Sequence, residues 1–145
     1  MRKILVFLLA VLLAASAGSV IQSLVNLQAI AALTGPIATA EQLSTLWFDL
    51  RHFMPVLAAI FLPIMLLSLV LSRIVLKRAT LGEVPAVFVI TALCTWAALL
   101  IINQLAPMPT LIALNRTLAG TLLLLSCCAL GAVFYHYFSR SRSVA

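Results

Sequence analysis

The side chains able to do chemistry are few, and they gather near the ends of apolar runs. Asp49 and His52 lie three residues apart, with Arg51 between them. On a helix that spacing shares a face, where a carboxylate orients an imidazole as a general base or makes half of a metal site. Two ligands do not hold a metal, and Glu41 would have to fold back to help, so an ordinary interfacial charge cluster is the favoured account. Arg116, beside Asn115 at the start of the fourth apolar run, either snorkels to lipid phosphate or pairs with Asp49 or Glu41. Its sharper role is as an anion- or carbonyl-binding group at the mouth of a pocket. Asn103 and Gln104 close the third apolar run at the same depth. Ser16, Ser19, Ser23 and Asn26, with Gln22 alongside, recur every three or four residues in the first run. That face is unfavourable against lipid, so it serves as interhelical glue or lines a polar cavity. Asn26, Asp49, His52, Asn103, Gln104, Asn115 and Arg116 together make the candidate ligand-binding cluster. No catalytic set is assigned.

What is missing narrows the chemistry further. Glu41, Asp49 and Glu83 are the only acids, and each lies outside an apolar run. Proton-coupled carriers commonly titrate a carboxylate inside the membrane, which disfavours a small multidrug-type exporter. His52 and His136 fall at opposite ends of the apolar thickness, about 30 Å apart, too far to share a haem iron. A di-iron site needs two Glu-x-x-His pairs, which the chain does not have. Cys94, Cys127 and Cys128 lie within apolar runs and form no Cys-x-x-Cys; they read as small apolar residues, not as disulfide or redox partners. No cofactor and no metal is expected.

The elements that position these residues follow from composition. Of 145 residues, 65% are hydrophobic and only 8% charged, and the mean hydropathy is +1.25. A soluble domain carries about 25% charged residues, so most side chains here must face lipid. Spans need about 20 apolar residues, which gives four, at about 4–25, 53–76, 84–104 and 111–138, in one membrane domain over 1–145. The formal charge of +6 is spread over span ends rather than along a groove, so nucleic acid is not expected as a partner. Arg2, Lys3, Arg73, Lys77, Arg78, Arg140 and Arg142 fall on one side, against Arg51 and Arg116 on the other. Both termini are therefore placed in the cytoplasm, with the cell membrane, the inner one in a bacterium, as location.

Residues 34–52 form the one sizeable outer loop. Gly35-Pro36 breaks the first helix, and Thr39 with Gln42 has the form of a capping box. Leu43, Leu46, Trp47 and Leu50 share a helical face, which predicts a short amphipathic helix lying on the outer surface. Arg2-Lys3, residues 4–14 and Ala15-Ser16-Ala17 also match a cleavable signal peptide. The apolar character runs on through Leu33, which favours retention. Pro63 is expected to kink the second helix. Thr117, Gly120, Thr121, Cys128 and Gly131 give the fourth a small-residue face for close packing or dimerisation. Tyr135, His136 and Tyr137 form an inner aromatic belt, with His136 as an interface anchor.

Thr95 leading into Asn103-Gln104-Leu105-Ala106-Pro107, then Asn115, resembles the Thr…Asn-x-Pro-x-Asn stretch of the anthrone-oxygenase-like membrane family. The resemblance covers about one helix and the following loop. The proline is displaced, and the family's downstream Trp and His/Arg pattern is not evident. It implies a small four-helix membrane protein, some relatives of which oxygenate aromatic polyketides without a cofactor. Only Asn103 and Asn115 carry over, with Arg116 as a neighbour.

The expected fold is thus an all-α, four-transmembrane-helix bundle with a short outer amphipathic helix. The leading expectation for function is a non-enzymatic accessory subunit or a binder of a hydrophobic small molecule. Lipid, further copies of the chain or a membrane subunit are its expected partners. The rival is an enzyme acting on a hydrophobic substrate at the outer polar cluster.

Overall fold

A computed structural model of the chain describes residues 1–77, 82–105 and 117–140, without the side chain of Arg140. It holds four helices, α1 (Arg2–Thr34), α2 (Thr39–Leu76), α3 (Glu83–Leu105) and α4 (Leu118–Arg140), and no strand among the described residues. Each helix is long and apolar enough to cross a membrane.

Helices α1 and α2 are longer than a crossing requires. At 1.5 Å per residue they run about 50 and about 57 Å, against about 34 Å for α3 and α4. Only residues 35–38 separate α1 from α2. Gly35 takes φ 93° and ψ −178°, a conformation open to glycine alone, and its N–H donates to the Ala31 carbonyl at 2.9 Å. This tight turn sends α2 straight back along α1, and the pair forms the most extensive contact in the molecule.

That pairing corrects the expected outer loop. Residues 39–52 are helical, as their periodicity predicts, but they are the first part of α2 and not a separate helix lying on the surface. Helix α1 also continues, to Thr34, and Asp49 of this segment is bonded back to it by Ser23, while Leu43 and Trp47 of the apolar face stay exposed. The capping box is corrected too. Ala38 occupies the cap position without a side-chain bond, and Gln42 Nε2 donates to the Ile37 carbonyl at 3.0 Å. Pro55 and Pro63 both lie inside the unbroken α2. Each removes one backbone donor, and neither ends the helix.

The helices stand in a ring in chain order. Besides α1–α2, the pairs α2–α3, α3–α4 and α1–α4 pack along their length, while α2 and α4 meet only slightly across the diagonal. Leu57, Phe61 and Met65 of α2, Val11 of α1, Val87 and Leu99 of α3 and Leu124 of α4 fill the centre. The outer faces carry leucines such as Leu9, Leu66, Leu93 and Leu130, all at least half exposed, as lipid contact demands.

Small residues set the closest crossings. A Cβ on Gly131 would lie 2.8 Å from Ala14 Cβ and 3.1 Å from the Ala10 carbonyl oxygen. One on Gly18 would meet Leu57 at 2.7 Å. The small-residue face read in the fourth run is therefore spent, at Gly131 and Cys128, on packing within the chain.

Candidate functional site

The polar residues of the bundle fall into three places. The first is the end that carries the α1–α2 turn. Ser19, Gln22 and Ser23 point inward and are buried, as the periodicity of the first run predicts. The Ser23 hydroxyl lies 2.7 Å from Asp49 Oδ2 and 2.9 Å from the Ser19 carbonyl, so one proton serves two acceptors while it tethers α1 to α2. Ser19 Oγ and Gln22 Oε1 have no hydrogen-bond partner among the described residues. Asp49 is half-buried, whereas His52 is exposed and faces elsewhere. The His52 Nδ1–H donates to the Phe48 carbonyl at 3.0 Å, and the ring stacks on Phe48 with centroids 4.2 Å apart. Asn26 is half-buried on α1, and Gln104 is exposed in the last turn of α3. Asn115 and Arg116 lie outside the described residues. The structure thus brings Asp49 to Ser23 and turns His52 away from both.

The second place is a groove of about 580 Å³ between α3 and α4. Phe88, Leu93, Trp96, Leu99, Leu122 and Leu125 make its apolar length. Asn103, Thr117 and Thr121 add polar groups where α3 ends and α4 begins. Thr117 also caps α4, since its Oγ1 accepts the Gly120 N–H at 3.0 Å. Among the described candidate residues, Asn103 lines this groove. Thr95 does not reach it: it is fully buried, donates to the Thr91 carbonyl at 2.8 Å and lies beside the Cys128 thiol.

The third place is the opposite end, where all four helices surround a cavity of about 800 Å³. Lys3 comes from α1, Arg73 and Lys77 from the end of α2, Glu83 from α3, and Tyr135 and His136 from α4. His136 Nε2 lies 3.3 Å from Glu83 Oε2, so His136 ties α4 to α3 and is not simply a surface anchor. Tyr135 corrects the aromatic belt. It is only 9% exposed and packs edge-on against Phe7, with centroids 5.6 Å apart. Tyr137, next but one along α4, is 65% exposed. His52 stands 21 residues before Arg73 on α2, hence about 32 Å from this cavity along the helix. Among the described residues no three of His, Cys, Asp and Glu come together to hold a metal.

A buried polar seam leads from this cavity toward the middle of the bundle. The Ser72 hydroxyl, lining the cavity, donates to the Ser68 carbonyl at 2.7 Å. The Thr91 hydroxyl donates to Ser68 Oγ at 3.0 Å, and Ser68 donates on to the Met65 carbonyl. Such bonds satisfy hydroxyls that hydrocarbon cannot. Neither the seam nor the cavity was singled out from the sequence. Its signal was present, since Ser68 with Ser72, Thr91 with Thr95 and Tyr135 with Ser139 are each four residues apart.

Set beside known proteins, the chain matches no family model, no curated protein and no solved structure. What it is thus rests on its own geometry, that of an all-helical membrane protein with four helices able to span.

Proposed function

We propose that the protein is a non-enzymatic, multi-pass membrane protein that holds a lipid-like molecule between α3 and α4. The observation that carries this reading is the groove there: an apolar length the size of a ligand pocket, with Asn103, Thr117 and Thr121 gathered at one end. An amphiphile with one long apolar part and a small polar head matches that division. The charge count supports an orientation with both termini in the cytoplasm and the polar end of the groove on the outer side.

The test is native mass spectrometry of the protein gently extracted from its own membrane, compared with a variant, Ala92→Phe, that fills the groove from its α3 wall, which Ala92 lines. A retained molecule in the wild type that is absent from the variant is the expected result. Retention that ignores Ala92→Phe refutes the groove as its seat. A ligand-free complex with another subunit points instead to the accessory role.

One observation favours a second reading. Asn103, which carries the resemblance to the anthrone-oxygenase-like family, lines the same groove. An enzyme acting on a hydrophobic aromatic substrate would bind it there. Oxygen uptake with an anthrone, lost in Asn103→Ala while the helical fold persists, would replace the binding role with catalysis.

A further inference from the structure

The cations at the ends of α1 and α2 have an ordinary explanation, which is that Lys and Arg orient membrane proteins by standing at the cytoplasmic margin. That rule asks only for their depth. It does not ask that Lys3, Arg73 and Lys77, from two different helices, line the same cavity. Nor does it account for a tyrosine hydroxyl placed in that cavity without a partner.

Tyr135 is more than nine-tenths buried, and its ring is held by Phe7. Among the described residues its hydroxyl makes no hydrogen bond, and Lys3, Arg73 and Lys77 make no ion pair. The hydroxyl oxygen itself is not sealed off but stays accessible in the cavity, where a bound group can accept its proton. The facing carboxylate, Glu83, is turned to His136 at 3.3 Å. Three cations against this one carboxylate leave the cavity lining positive. Ser72 and Ser139 add hydroxyls at its wall.

We infer that this four-helix cavity binds a phosphate group of net negative charge, with the Tyr135 hydroxyl donating to a phosphate oxygen and Lys3, Arg73 and Lys77 supplying the charge. The volume of about 800 Å³ exceeds what a bare phosphate fills and suits a headgroup with its ester linkages. The cavity sits where the basic ends of α1 and α2 gather, and basic pockets between membrane helices are suited to lipid headgroups. The inference does not rest on the α3–α4 groove, since the two sites share no lining residue and the groove gathers its polar groups at the far end of α3 from this cavity.

The experiment places the purified protein in nanodiscs of equimolar phosphatidylcholine and phosphatidylglycerol and releases it gently for native mass spectrometry. A parallel sample in phosphatidylcholine alone is titrated with inorganic phosphate. The expected result is preferential retention of phosphatidylglycerol by the wild type. Tyr135→Phe, which keeps the ring against Phe7, should lower that preference about tenfold, as loss of a hydrogen bond to a charged group implies. The double variant Arg73→Gln/Lys77→Gln, changed at exposed positions, should abolish it. Saturable phosphate binding with the same variant dependence, without lipid enrichment, would support the same site with a soluble phosphate as its source. Equal retention of both lipids together with no phosphate binding overturns the inference. So does enrichment that ignores all these variants. Circular dichroism of each variant separates loss of ligand from loss of fold. Because Ala92→Phe leaves this cavity untouched, the groove reading and this one can fail separately.

Discussion

The two ends of the bundle treat their polar groups in different ways. Toward the α1–α2 turn, Ser23 closes on Asp49 and His52 on Phe48, while Ser19 Oγ and Gln22 Oε1 stay without a partner among the described residues. At the other end, charged and hydroxyl groups from four helices stand around a shared space of about 800 Å³. The difference lies in which helices meet. The Ser23–Asp49 contact joins α1 and α2. At the basic end, all four helices finish together, and side chains from each face the same volume. A polar group in a two-helix pairing meets one partner helix. A polar group in a ring of four can be left open to a ligand.

The sharpest way to break the comparison is to force the ring apart. Gly131→Leu has no room between Ala14 and the Ala10 carbonyl. It is expected to cost about 3 kcal/mol, read by thermal unfolding in detergent, and to abolish anionic-lipid retention as α1 and α4 separate. An unchanged midpoint would mean that this crossing is looser than 2.8 Å implies. At the turn end, Ser23→Ala removes the tether to a half-buried carboxylate and should cost about 1–2 kcal/mol, with phosphatidylglycerol retention intact. Loss of retention here would show that the two ends are coupled. Thr91→Val deletes the bond to Ser68 inside the seam. Membrane helices yield about 0.6 kcal/mol for such a bond, so a small drop in midpoint is expected, and a large one would make the seam a principal source of stability. His52→Ala should do least, within about 0.5 kcal/mol, because His52 is exposed and bonds only within its own helix. Loss of a retained ligand on His52→Ala would return Asp49 and His52 to the centre of the site.

Much of this architecture was legible along the chain. Four apolar runs mark four helices, because the bilayer's thickness and the backbone's need for internal hydrogen bonds leave no other use for them. Gly35-Pro36 ends α1 where it was expected to, since that backbone conformation excludes side chains. The inward face of Ser19, Gln22 and Ser23 could be read from spacing alone. The extent of α2 could not. Residues 39–52 are amphipathic whether they lie flat on a surface or pair with α1, and periodicity cannot distinguish the two.

The candidate site was read less well, for a related reason. Spacing along one helix reports which residues share a face, not which faces meet. Asp49 and His52 share a spacing yet turn to different partners. Tyr135, His136 and Tyr137 look alike as neighbours at a span end, but packing buries the first against Phe7, pairs the second with Glu83 and leaves the third exposed. The sequence by itself therefore determined the medium, the number of helices and their apolar character, because these depend on local composition and length. Only the tertiary structure decided which polar groups converge, because convergence depends on the order of helices around the ring and the close approach at Gly18 and Gly131.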